Sequence, residues 1–208
     1  MTDPNDSTTI RSDTGKRHRH KYDNRDPLHR LALGRFLDTV GEELKPYTNV
    51  KTLDFGCGEA RFLAQMKQRG VRFEDLVGID LRDDALREAG ELLPEYRFET
   101  ADLLTWNQSD ASFDLVIASQ VLEHLPHPET FLKKLVALTR GTLLLTVPWE
   151  PWFRLLNLAR GRDIRHLGNH PEHINHFTPK SFREFIEPHA RVTKLYTVFP
   201  FIIAVARP

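Results

Sequence analysis

The sequence predicts an α/β domain of three layers, in which helices cover both faces of a mostly parallel sheet. Apolar runs short enough to be strands alternate with amphipathic helical stretches from Val50 to Val147, and a period that switches between two and 3.6 residues marks strand-helix-strand units. Phe113-Asp114-Leu115-Val116-Ile117-Ala118 is apolar at five of its six positions, as a parallel strand buried on both faces is. Connections between such strands run as right-handed crossovers.

The elements follow in order. Leu28, Leu31, Phe36, Leu37, Val40 and Leu44 recur at mixed three and four spacing behind Pro27, which suits a first helical turn, so a leading helix is expected over Pro27 to Leu44. A first strand, Val50 to Phe55, runs into a helix from Glu59 to about Arg69 that Gly70 stops. Leu76 to Asp80 is a buried strand ending in an acid, and Asp83 to Ala89 the next helix. Tyr96 to Thr100 and Phe113 to Ala118 read as strands, Pro128 to Thr139 as a helix and Gly141 to Val147 as a strand. After Pro148 the rhythm changes. Trp149 to His176 is rich in tryptophan, arginine and histidine and is expected to be an irregular or helical insertion, followed by a helix over Pro179 to Glu187 and short strands over Val192 to Thr197 and Phe201 to Ala206.

At 208 residues the chain suffices for one full α/β core. Lysine plus arginine and aspartate plus glutamate both number 29, so no overall field favours a nucleic-acid partner, and a small, roughly neutral substrate is the easier inference. One cysteine, Cys57, excludes an internal disulfide framework and fits a reducing compartment. No run reaches the roughly 20 apolar residues of a membrane span, and the polar start lacks a secretory core; a cytoplasmic location is expected. Residues 1–21, ending in Lys16-Arg17-His18-Arg19-His20-Lys21, read as a disordered basic arm. The single domain then covers 22–208, with a lid or insertion over about 149–177.

The chemistry starts at Asp54-Phe55-Gly56-Cys57-Gly58-Glu59-Ala60-Arg61. Two alternating glycines after a strand let the backbone turn tightly and let a nucleotide cofactor approach the main chain. A dinucleotide fingerprint would need a third glycine where Arg61 stands. Asp54 and Glu59 would repel a pyrophosphate but suit a cofactor with ammonium and sulfonium charges, such as S-adenosylmethionine. The run resembles the first motif of the class I S-adenosylmethionine-dependent methyltransferases, with Ala60 in place of a last glycine. The resemblance covers Val50 to Val147 and implies a Rossmann-like methyltransferase fold: a mostly parallel seven-stranded sheet with an antiparallel last strand.

Asp80 lies 22 positions beyond Gly58, where an acid can accept from both ribose hydroxyls; a helix N-cap is a compatible second role. Asp102 follows the third strand, where the resemblance implies an acid near the adenine amino group and an adjacent backbone amide from Leu103; a plain turn is the alternative. Gly56 and Gly58 bring the backbone against the cofactor, and Asp54 meets its methionine part through loop amides or water. Cys57 and Leu81 are placed with these cofactor-contacting residues, Cys57 as a small filler and not a nucleophile. Ser119-Gln120-Val121-Leu122-Glu123-His124 resembles the family's fourth motif. Ser119 and Gln120 are the candidates to line the methionine end, while Glu123 and His124 either take part in catalysis or cap the next helix and brace the loop.

Transfer to an alcohol needs a base, and a near-neutral histidine suits that step. His124, His173 and His176 are the candidate catalytic residues, the last two within Arg165-His166-Leu167-Gly168-Asn169-His170-Pro171-Glu172-His173-Ile174-Asn175-His176. A metal would need Glu123 and His124 added to these histidines, an arrangement that resembles the small-RNA 2′-O-methyltransferases; Gln120 stands where their first glutamate ligand would be, and no metal is expected. Trp149 to Arg160, with Trp152, Leu155, Leu156 and Ala159 on one face, is a substrate lid or a peripheral membrane contact. Either suggests an apolar or amphiphilic acceptor, methylated on oxygen. The competing functions are a metal-assisted RNA 2′-O-methyltransferase and a non-catalytic S-adenosylmethionine-binding protein.

Overall fold

The computed structural model describes residues 27–150, 152 and 174–208. The basic arm at 1–21 and most of the insertion, His166, His170 and His173 included, lie outside the described residues. Helix α1 (Pro27–Leu44) precedes β1 (Lys51–Phe55), α2 (Arg61–Gln68), β2 (Asp75–Asp80), α3 (Asp83–Leu92), β3 (Arg97–Thr100) and β4 (Phe113–Ser119). A short 3-10 turn (Leu122–His124) leads to α4 (Pro128–Leu138), β5 (Thr139–Pro148), α5 (Pro179–Ile186), β6 (Arg191–Val198) and β7 (Phe201–Arg207).

The seven strands form one sheet in the order β3-β2-β1-β4-β5-β7-β6. Pairings from β3 through β5 are parallel, and β7 runs antiparallel to both β5 and β6. Alternation along the strands divides the core in two. Leu53, Val116, Ala118, Leu143, Leu145, Ile202 and Ala204 face Leu132, Leu135 and Leu138 of α4 and Phe182 and Ile186 of α5. Leu115, Ile117, Leu144, Phe201 and Ile203 face Phe36, Leu37 and Val40 of α1, Leu63 and Met66 of α2 and Ala89 of α3. A strand buried on both faces can offer polar groups only at its ends, so function is displaced to the sheet edge.

Several boundaries shift from the sequence expectation, three of them for a visible reason. Helix α2 starts at Arg61 and not at Glu59, because Ala60 takes a left-handed conformation, φ 54°. Helix α3 runs through Gly90 to Leu92, since Leu86, Ala89 and Leu93 continue its buried face. Strand β5 starts at Thr139, directly from the end of α4, where the Thr139 hydroxyl donates to the Leu135 carbonyl at 2.7 Å. Among the described residues no helix is long and apolar enough to cross a membrane.

Candidate cofactor site at the carboxyl edge of the sheet

The chain order reverses across β1 and β4, which lie side by side. A crevice opens beyond the carboxyl ends of strands at such a reversal, and ligands of open α/β sheets bind there. The segment after β1 reaches that edge through Gly56, whose φ is 70° and whose absent Cβ would lie 2.7 Å from Val121 Cγ2. Any side chain at Gly56 would push the loop after β4 away. Most of the loop's amides already have partners: Gly56 and Cys57 donate to the Ile79 carbonyl at 2.8 and 3.2 Å, and Ala60 donates to the Cys57 carbonyl at 2.9 Å. The Gly58 amide donates to Asp80 Oδ2 at 3.0 Å. These glycines therefore supply close approach of the backbone.

Asp54 sits at the end of β1, 2% exposed. Its Oδ2 is buried without a hydrogen-bond partner among the described residues. Burial first, and the charge of Asp80 second, push its carboxyl up to about 8. A buried carboxyl with an unanswered oxygen is a costly feature that a cation would relieve. The residues thus fit a cofactor carrying an ammonium and a sulfonium better than one carrying phosphates.

Asp80 is well placed at the end of β2. Besides Gly58, it accepts at Oδ1 from the Arg82 amide at 3.0 Å, while the Arg82 guanidinium approaches Oδ1 at 3.5 Å and Glu59 Oε1 at 3.3 Å. The N-cap of α3 is Arg82, without a side-chain cap, so Asp80 serves the loop and not the helix. Leu81 projects 56% exposed beside it. Cys57 is buried against the position of Gly78, and burial, then the charges of Asp54 and Asp80, push its thiol up; this is the filler role. Asp102 is exposed and its Oδ1 accepts from the Leu104 amide at 3.0 Å, a turn bond that leaves Oδ2 open to solvent-side partners. The Leu103 side chain is 1% exposed in the core, so only its backbone can serve a ligand.

On the far side of the crevice Gln120 adopts a left-handed φ of 60°. Its amide donates to the Thr146 carbonyl at 2.9 Å, its Nε2 donates to Thr146 Oγ1 at 3.3 Å, and Ser119 Oγ shares that hydroxyl at 3.0 Å. A non-glycine residue held in that region persists only where its surroundings over-determine it. The 3-10 turn that follows buries Glu123, 1% exposed, with His124 Nε2 3.9 Å from its Oε1.

The described residues that lead into α5 lie against this turn. Trp149 bridges to Phe177, and the Glu150 amide donates to the Phe177 carbonyl at 2.9 Å. The amides of Ile174 and Asn175 both donate to the Glu123 carbonyl, at 2.9 and 3.0 Å. Asn175 Nδ2 donates to the carbonyls of Leu122 at 3.0 Å and Leu125 at 2.7 Å. Exposed His176 is thereby carried beside His124's turn, and Thr178 with Ser181 caps α5 reciprocally just beyond. Among the described residues no three histidine, cysteine, aspartate or glutamate side chains gather as a metal site. Sequence reasoning missed Arg82, Thr146 and Asn175. A cation at an N-cap position was a readable signal for Arg82; Thr146 and Asn175 reach partners 26 to 53 positions away, and nothing local announces that.

A family described as "Methyltransferase domain" matches residues 16–187. A trans-aconitate 2-methyltransferase of Azoarcus sp. (strain BH72) is 29% identical over 149 residues, 69% of this chain and 58% of that protein. A ubiquinone biosynthesis O-methyltransferase of Leptothrix cholodnii is 31% identical over 114 residues, 51% of this chain and 46% of that protein. The chain spans about half the length of the curated relatives it matches. Among solved structures, magnesium protoporphyrin IX methyltransferase from Synechocystis PCC 6803 with bound S-adenosylhomocysteine superposes with a TM-score of 0.69 at 18% identity, over 97% of this chain and 95% of that one.

Proposed function

The chain belongs to the class I S-adenosylmethionine-dependent methyltransferases, and from that premise we propose that it methylates a small, apolar or amphiphilic acceptor on an oxygen atom. The observation that carries the donor half is Asp54, a buried carboxyl with an unanswered oxygen beside the glycine loop. Bound there, S-adenosylmethionine supplies a methyl on a sulfonium for in-line displacement. Asp54 meets the positive methionine end, and Asp80 accepts from ribose hydroxyls. Ser119 and Gln120, held by Thr146, line the side nearest the 3-10 turn.

The acceptor half rests on the anchoring of Ile174 and Asn175, next to His176, against Leu122 to Leu125. His124 and His176 stand on the two sides of that junction, and a histidine within about 3 Å of an acceptor hydroxyl removes its proton as the bond to carbon forms. His173 completes the candidate set from outside the described residues. Orientation supplies most of the remaining rate. The printed activities of two relatives, on trans-aconitate and in ubiquinone biosynthesis, support a small-molecule acceptor.

Calorimetric titration tests the donor half: S-adenosylmethionine and S-adenosylhomocysteine should bind and NADH should not. Failure of both cofactor forms to bind would sink the reading. Transfer of labelled methyl to a panel of phenols, carboxylic acids and amines tests the acceptor half. Label appearing only on amines would overturn the oxygen assignment.

A further inference from the structure

We propose that Arg82 is a positioning residue of the cofactor site: together with Glu59 it clasps the glycine loop to the end of β2 and holds Asp80 in its ribose-accepting orientation. The inference rests on the S-adenosylmethionine reading and deepens it.

The contacts form a closed circuit. Gly58 donates its amide to Asp80 Oδ2 at 3.0 Å, the Arg82 amide and guanidinium engage Asp80 Oδ1 at 3.0 and 3.5 Å, and both terminal nitrogens of Arg82 reach Glu59 Oε1 at 3.3 Å. Glu59 follows Gly58 directly, which returns the circuit to its start. The members are largely removed from solvent, with side-chain exposures of 14% for Arg82, 7% for Glu59 and 15% for Asp80. Charge pairs so placed are screened less than surface pairs. The guanidinium also lies over the loop itself, 3.2 Å from where a Cβ on Gly58 would be.

Local preference argues against an arginine here. Residue 82 is the N-cap of α3, a position that favours serine, threonine, aspartate or asparagine. The helix N-terminus carries a partial positive charge that a cation does not complement. Helix α3 gains no side-chain cap in exchange. A local rule broken this way is expected where a site requires it, and the partners Arg82 reaches are the loop acid and the ribose acid. With Oδ2 turned to the loop amide and Oδ1 to Arg82, the Asp80 carboxylate has a fixed plane and keeps acceptor capacity on each oxygen.

The test uses S-adenosylhomocysteine, whose neutral sulfur keeps the arginine charge from acting on a sulfonium. Its dissociation constant is measured by calorimetry for the parent, Arg82→Ala, Arg82→Lys, Glu59→Gln and the double variant Glu59→Gln/Arg82→Ala, with the melting temperature of each ligand-free protein. Arg82→Ala should weaken binding about tenfold or more, Glu59→Gln should do most of the same, and Arg82→Lys should recover part of the loss. The double variant should be no worse than Arg82→Ala, because one circuit is broken once. A melting temperature that falls while affinity stays within twofold of the parent would reduce Arg82 to a structural residue and overturn the proposal, as would fully additive losses. If Arg82→Ala does not fold, Glu59→Gln and Arg82→Lys decide by the same criteria. A parent that does not bind S-adenosylhomocysteine removes the cofactor reading and this inference together; a binding parent with unaffected variants removes the inference alone.

Discussion

Asp54 shows how a single residue ties the site to stability. Its carboxyl ordinarily titrates at 3.8 and is pushed up to about 8 in the fold, so between those values the folded chain holds a proton that the unfolded chain has released. This stabilising contribution is complete below about pH 4 and is lost as pH rises toward 8, at up to about 1.4 kcal/mol per unit. Urea midpoints measured from pH 5 to 8 should fall for the parent and change much less for Asp54→Asn; equal slopes would mean that Asp54 is not the buried proton. The same residue explains how far the sequence could be read at this scale. Asp54, Gly56, Gly58 and Asp80 were legible because acid and glycine at fixed spacing have a mechanism. The missing hydrogen-bond partner of Asp54 was not, since it depends on where β2 and β4 stand beside β1.

Among the elements, the stem that leads into α5 is held at Asn175 by partners some 50 positions back in the chain. The Asn175 side chain bonds the carbonyls of Leu122 and Leu125, and losing both part-buried bonds costs about 1–3 kcal/mol at roughly 0.5–1.5 per bond. Asn175→Asp should destabilise more than Asn175→Ala, although it is closer in shape, because it turns an oxygen toward two carbonyl oxygens. Chemical denaturation of the three proteins checks the order, and the reverse order would remove these bonds from the account of the stem. The helices and strands themselves were readable to within a few residues, because apolar period follows burial. Their ends moved where an unrepeated contact intervened: Ala60's left-handed turn delays α2, and the Thr139 hydroxyl joins α4 to β5 without a loop.

For the molecule as a whole, the cofactor edge draws on β1, β2 and β4 at once, so a ligand bound there should stabilise the folded chain against unfolding. At a hundred times its dissociation constant, S-adenosylhomocysteine should add about 2.7 kcal/mol, which for a domain of this size raises the melting temperature by roughly 5–10 °C. Thermal scans with and without ligand read this directly, and no shift at saturating ligand would mean that the folded chain does not bind it in preference to the unfolded one. The sequence by itself determined the α/β class, the succession of elements and the donor motif, because each depends on residues near one another in the chain: periodicity, turn glycines and an acid at a strand end. Only the tertiary structure decided that Arg82 joins Glu59 to Asp80, that Thr146 holds Ser119 and Gln120, and that Asn175, with His176 next to it, bonds to the turn after β4. Those contacts join residues up to 53 positions apart, and a side chain's partner at that distance is chosen by sheet order and strand register, not by its neighbours in sequence.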